Sequence, residues 1–214
     1  MKLARMLYPV TVLGPGKRIA VWLSGCRRAC KGCANPELWE ATDEQEVALS
    51  DVYRMIAYLS EKSEGQVDGF TITGGEPFEQ SEELLKLLTY MQNYSQDILL
   101  FTGYQKQELM QDERCAAVLD KLAVLVDGPY VEEKNAGELL RGSTNQTIHY
   151  RDEQVQKAYQ SYIQSYEGIS PVENFTVSDG VISVGIHRKD FKEALTEGLF
   201  KKDIMKCEGG KKHE

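Results

Sequence analysis

The sequence predicts an α/β fold built on a parallel sheet, and two observations carry that reading. Short apolar runs alternate with stretches whose apolar residues recur at helical spacing. Each run then ends in a turn rich in Gly, Asp or Cys. Strand–helix alternation implies βαβ units, whose strands lie parallel and whose chemistry gathers at the carboxyl ends of the strands.

Near the N-terminus, Val10-Thr11-Val12-Leu13 runs into the turn Gly14-Pro15-Gly16, and Arg18 to Leu23 reads as a buried strand. Thr42-Asp43-Glu44-Gln45 has the form of a capping box, and the helix it would start carries Val52, Met55, Ile56 and Leu59 on one face. Asp68 to Thr73 is a second strand, ending in Gly74-Gly75-Glu76-Pro77. The next helix carries the wide stripe Leu84, Leu85, Leu87, Leu88 and Met91. Asp97 to Thr102 is a third strand, Gln105 to Lys121 is helical in two pieces, and Leu122 to Val126 is a fourth strand closed by Asp127-Gly128-Pro129. Leu139 to Tyr150 holds a fifth.

From Arg151 the texture changes, so residues 1–150 read as the core domain and 151–214 as a small α+β extension. Gln154 to Tyr166 is a polar helix whose Tyr159, Tyr162 and Tyr166 suit packing rather than chemistry. Phe175 to Val184 alternates around Asp179-Gly180 as a β-hairpin. A short helix, Arg188 to Phe200, precedes a basic, solvated tail with Lys201, Lys202, Lys206, Lys211 and Lys212.

Composition narrows the classes. In 214 residues, 42% are apolar and 27% charged, which fits a globular chain with a sizeable core. No apolar run reaches the about 18 residues of a transmembrane helix, and the N-terminus lacks the apolar core of a secretory signal. A net charge of −8 excludes the cationic footprint of non-specific nucleic-acid binding. Five cysteines is an odd count, and three of them are packed too closely for a tidy disulfide framework, which favours a reducing cytoplasm.

Three of those cysteines carry the chemistry. Cys26, Cys30 and Cys33 are spaced C-x3-C-x2-C directly after the strand Arg18 to Leu23. Soft thiolates select iron–sulfur clusters, copper(I) or zinc. A [4Fe–4S] cube needs four ligands, so three leave one iron open. The Gly74 to Pro77, Thr102-Gly103 and Asp127-Gly128 turns also come after predicted strands and would converge on the same rim. Cys115 falls in a helical pattern as a small packing residue, and Cys207 has no partner motif.

These residues carry a resemblance. Gly14-Pro15-Gly16, Cys26-x3-Cys30-x2-Cys33 with Asn35-Pro36, Gly74-Gly75-Glu76-Pro77, Thr102-Gly103-Tyr104, Val126-Asp127-Gly128 and Arg141-Gly142-Ser143-Thr144-Asn145-Gln146 occur in that order. The chain resembles the radical S-adenosylmethionine (SAM) superfamily and, within it, the activating proteins of anaerobic ribonucleotide reductase. That resemblance implies an open, partial (β/α) barrel. It implies a [4Fe–4S] cluster on Cys26, Cys30 and Cys33 and no catalytic residue beyond cluster and cofactor. SAM would meet Gly32, Cys33 and Ala34 at its adenine and Gly74, Gly75, Glu76 and Pro77 at its methionine end, with Thr102 and Asp127 nearby. Many relatives carry an aromatic residue where this chain has Gly32, so a contact there is main-chain only. The implied reaction leaves a glycyl radical on a partner reductase, with a flavodoxin-type protein as electron donor and neither nucleic acid nor membrane involved.

Arg27, Arg28 and Lys31 make the cysteine loop cationic, suited to offset cluster charge or to meet an acidic partner. The roles of Arg141, Ser143 and Asn145 stay open between backbone support and contact with cofactor or partner. Two rivals remain: a radical enzyme with another peptide or small-molecule substrate, and a zinc-binding interaction module with His149 or His187 as fourth ligand.

Overall fold

The computed structural model describes residues 1–63, 65–166, 171–177 and 180–191. The hairpin turn at Ser178-Asp179, the helix expected beyond Phe191, Cys207 and the basic tail lie outside the described residues.

Six strands form one sheet whose spatial order is that of the chain: β1 (Leu3–Val10), β2 (Arg18–Leu23), β3 (Gly69–Gly74), β4 (Ile98–Phe101), β5 (Val124–Asp127) and β6 (Thr147–Tyr150). The four central strands are parallel, and β1 and β6 run antiparallel at the two edges. All six residues of β2 are buried, the signature of a strand covered on both faces. β1, Leu3–Val10, is a strand without an expectation from the sequence, where only the run Val10 to Leu13 into the Gly14-Pro15-Gly16 turn stood out. Bulges at both ends and Pro9, tolerated on an edge, mask its alternation.

The helices linking the parallel strands are α1 (Leu49–Lys62), α2 (Ser81–Met91), α3 (Lys106–Leu109) and α4 (Glu113–Leu119). Alternation along the strands sorts the core. Ile19, Val21 and Leu23 of β2, Phe70 and Ile72 of β3 and Leu100 of β4 pack with Val52 and Ile56 of α1, four residues of α2 and Val118 of α4. The crossovers therefore share one face. Cys115 packs at the margin of this core, where burial pushes its thiol up to about 11. The capping sequence at Thr42 closes only a 3-10 turn, Asp43–Gln45, and α1 starts later, after Ala48.

The other face is covered by the extension. α5 (Glu153–Ser165) places Tyr159 against Leu99, Val124 and Val126. The antiparallel pair β7 (Val172–Val177) and β8 (Gly180–Gly185) places Val184 against Val10, Ala20 and Trp22. Polar stitches fix both. Tyr162 Oη donates to Thr11 O at 2.7 Å, and Thr11 Oγ1 donates to Glu173 at 2.6 Å. Tyr159 Oη donates to Asp97 Oδ1 at 2.6 Å. The tyrosines are packing residues, as their spacing suggested.

Asp97 also holds Arg18, which is wholly buried at the amino end of β2. Its guanidinium donates to Asp97, Phe70 O, Pro15 O and Thr71 Oγ1, which leaves the buried charge paired and bonded. The Gly14-Pro15-Gly16 turn belongs to this end: a Cβ on Gly14 would lie 2.9 Å from Arg18 Nε.

Candidate functional site

The carboxyl ends of β2, β3, β4 and β5 carry the cysteine loop, Gly74 to Pro77, Thr102-Gly103 and Asp127-Gly128. Parallel pairing of β2 and β3 continues past both strands, because Gly75 N donates to Leu23 O and Glu76 N to Gly25 O, each at 2.7 Å. The returning chain pins the root of the loop, with Gly25 N donating to Leu38 O and Cys26 N to Trp39 O at 2.9 Å. A Cβ on Gly74 would sit 2.4 Å from Leu23 O, and one on Gly75 2.3 Å from Gly25 O. No real Cβ tolerates such distances from backbone, so both glycines are needed for close approach to the cysteine loop itself.

Cys26, Cys30 and Cys33 are free and half-buried on this loop, which also takes Ala29 into the left-handed region at φ 43. Burial pushes the Cys26 thiol up, while the N–H groups of Arg28 and Ala29 favour its thiolate. Among the described residues no three His, Cys, Asp or Glu groups gather to hold one metal ion. Of the candidate fourth ligands for zinc, His149 lies 3.1 Å from Asp127 Oδ2, and His187 stacks on Phe191 in the wall of the cavity that Cys33 also lines. A donor set of three soft sulfurs on one exposed loop fits a cluster, whose corner irons take thiolates separately.

Glu76 is 1% exposed, and its carboxylate is fully engaged. Oε1 accepts from Thr102 Oγ1 at 2.8 Å and Phe78 N at 3.1 Å, and Oε2 accepts from Gly103 N at 2.8 Å. Burial raises its pKa, opposed by those donors and by Arg28. Glu76 thus ties the β3 turn to the end of β4, and Pro77 opens the buried 3-10 turn Pro77–Gln80. Thr102 and Asp127 are similarly occupied: Thr102 Oγ1 accepts from Tyr104 N, and Asp127 Oδ2 accepts from Lys106 N at 2.7 Å.

Each cationic residue of the loop has an acidic or aromatic neighbour, although the buried Arg28 Nε has no hydrogen-bond partner. Arg27 pairs with Glu79, Lys31 with Glu132 and Glu133, and Arg28 lies over the Tyr104 ring at 4.8 Å beside Glu76. The loop therefore presents balanced charge rather than a free cationic patch. The Arg141 to Gln146 segment supports backbone: Gln146 Nε2 donates to Gly128 O, Asn145 Nδ2 to Pro129 O, and Ser143 Oγ accepts from Val131 N.

Gly32, Cys33 and Ala34 line a cavity of about 320 Å³, with Thr73, Phe101 and Tyr130 on further sides. A Cβ on Gly32 would lie 2.6 Å from Glu132 Oε1, a flexible side chain that would have to swing aside, and the φ of +72 at Gly32 itself favours glycine. Cys26, Cys30, Gly74 to Pro77, Thr102 and Asp127 lie outside the cavity wall. Glu132, His187 and Phe191 also line it; His187 stood out in the sequence only as a candidate zinc ligand, and Glu132 and Phe191 carried no local signal because they reach the cavity from distant parts of the chain. A larger open groove of about 970 Å³ beside α5 contains none of the cysteines.

A family described as a 4Fe–4S single cluster domain matches residues 12–149. Three anaerobic ribonucleoside-triphosphate reductase-activating proteins are similar to about two-thirds of this chain. That of Enterobacteria phage T4 is 32% identical over 66% of this chain and 90% of its own. Those of Vibrio cholerae and Escherichia coli K12 are 34% and 32% identical, covering 66% and 67% of this chain and 94% and 95% of theirs. The chain belongs to this activating-protein family. The family match ends at residue 149, within β6, so α5 and the β7–β8 pair lie beyond it.

Proposed function

We propose that the chain is a radical SAM activase that generates a glycyl radical on a partner enzyme, anaerobic ribonucleoside-triphosphate reductase. The observation that carries this is the 2.7 Å clamp of Gly75 and Glu76 onto the cysteine loop, which sets a three-thiol donor set beside a backbone turn at one rim. The sheet order β1 to β6, with four parallel central strands and crossover helices on one face, supports reading the core as an open, partial (β/α) barrel.

Cys26, Cys30 and Cys33 would hold the cluster, and Gly32, Cys33, Ala34 and the Gly74 to Pro77 turn would hold SAM. When bound, the pair supplies one-electron chemistry: reductive cleavage of the sulfonium C–S bond, leading to hydrogen abstraction from a glycine of the partner. The chain's own work is positional. Glu76 fixes the β3 and β4 turns, with Thr102 as its donor, and Asp127 fixes the start of α3. Exposure of Arg27, Ala29, Lys31 and Gly32 leaves the loop reachable by a flavodoxin-type electron donor in a reducing cytoplasm. Among the described residues no helix is long and apolar enough to cross a membrane.

Anaerobic mixing of the reconstituted chain with reductant, SAM and the reductase should give a glycyl-radical signal by electron paramagnetic resonance. SAM cleavage with no radical on the reductase would remove that partner. It would favour a second reading, a radical enzyme with another substrate, for which the extension beyond the matched region is the reason.

A further inference from the structure

The relatives cover 90–95% of their own length but 66–67% of this chain, and the family match ends at residue 149. The remaining third reaches the candidate site. β8 ends at Gly185, and the residues after it run along the cavity beside Cys33. Their path is fixed: Asn135 Nδ2 donates to His187 O at 3.0 Å and to Tyr130 Oη at 3.1 Å. Gly137 makes room for Arg188, whose Cγ would lie 2.9 Å from a Cβ there.

His187 and Phe191 stack with ring centroids 4.1 Å apart and planes at 13°. Both line the cavity across from Gly32, Cys33 and Ala34, with Phe101 and Tyr130 contributing further aromatic surface. Parallel aromatic plates favour flat π systems, and every nucleobase offers such a face. A cavity of about 320 Å³ is at the small end for ligand pockets and suits a nucleoside. Glu132 and the main chain at Gly32 to Ala34 place polar groups within the same wall.

We propose that the His187–Phe191 pair is a nucleoside-binding wall contributed by this chain's extension, against which the adenine of SAM seats. This rests on the radical SAM reading above. The pair would supply, from across the cavity, the aromatic surface that Gly32, held at φ +72, does not carry.

The test is calorimetric titration of the iron-loaded full chain with S-adenosylhomocysteine, an unreactive analogue, under anaerobic conditions. Phe191→Ala and His187→Ala should each weaken binding, Phe191→Ala by about tenfold or more, the range of a lost base–aromatic stack. Phe191→Tyr and the exposed-hairpin control Val181→Ala should stay within about twofold of wild type at equal iron content. Should Phe191→Ala disturb folding by circular dichroism, Phe191→Leu keeps apolar bulk without a π face and should show the same loss. Wild-type affinity in Phe191→Leu and His187→Ala would overturn this inference alone. An iron-loaded wild-type chain that binds no analogue would overturn the radical SAM reading and this inference with it.

Discussion

Gly75→Ala is the sharpest probe of how the rim is built. The new Cβ would lie 2.3 Å from Gly25 O, 2.9 Å from Gly25 C and 3.0 Å from Gly25 N, all backbone. No flexible side chain can yield, so the cysteine loop must retreat by about 1 Å to reach ordinary contact. That retreat strains or breaks the 2.7 Å bonds from Gly75 N and Glu76 N. Overpacking costs about 1–3 kcal/mol and a lost hydrogen bond about 1 kcal/mol, so a loss of about 2–4 kcal/mol is expected. Denaturant unfolding of the apo chain measures it, and iron content after anaerobic reconstitution reads the loop directly. Gly65→Ala is the control: no atom lies within 4 Å of its Cβ, though its φ of +77 brings its own backbone strain. Gly75→Ala with wild-type stability and full iron loading would refute the claim that the glycine exists for loop approach.

Four other perturbations have defined outcomes. Glu76→Gln turns a donor toward Gly103 N, Thr102 Oγ1 or Phe78 N, leaving a buried donor pair unsatisfied; a loss of about 1–3 kcal/mol is expected in chemical unfolding. Asp97→Ala leaves the buried Arg18 guanidinium short of its counter-charge and should cost about 3 kcal/mol by the same measurement. Asp112 and Asp152 are held below the usual range, chiefly by the N–H groups of Cys115 and Val155. Their folded pKa lies below the unfolded one, so the stability they add is present above about pH 4 and lost on acidification; Asn at both positions should flatten the acid limb of a thermal-stability profile. Chelation of iron should leave far-UV circular dichroism unchanged, since none of the three cysteines enters a core cluster, but should speed proteolysis within residues 26–33.

Local signals were enough to place most of the frame. The span Arg18 to Leu23 is read off the sequence to the residue because a continuous apolar run ends at a glycine and cysteine turn. The four rim turns fall after strands as expected, since parallel crossovers leave little other choice. β1 was not legible because its alternation is broken by bulges and Pro9. What single residues do at the rim was less legible. Glu76 reads in sequence as either a charge beside the cofactor or a residue that fixes its turn, and its turn-fixing partners Thr102 and Gly103, 26 and 27 residues away, meet it only through strand register. Likewise the positive charge at Lys31 looks unbalanced until Glu133, 102 residues on, folds against it. The aromatic plate of His187 and Phe191 had no signal at all, because its meaning depends on a cavity wall made from the other end of the chain.

The bond between Thr11 and Glu173 spans 162 residues. A ribosome adding about 5–20 residues per second needs roughly 8–30 s to make that distance. Through that interval the emerging chain holds Val10, Leu13 and Trp22 with no β7–β8 hairpin to shield them. The half-finished sheet is thus a sticky surface during synthesis, and the last part of the chain to be made is what retires it.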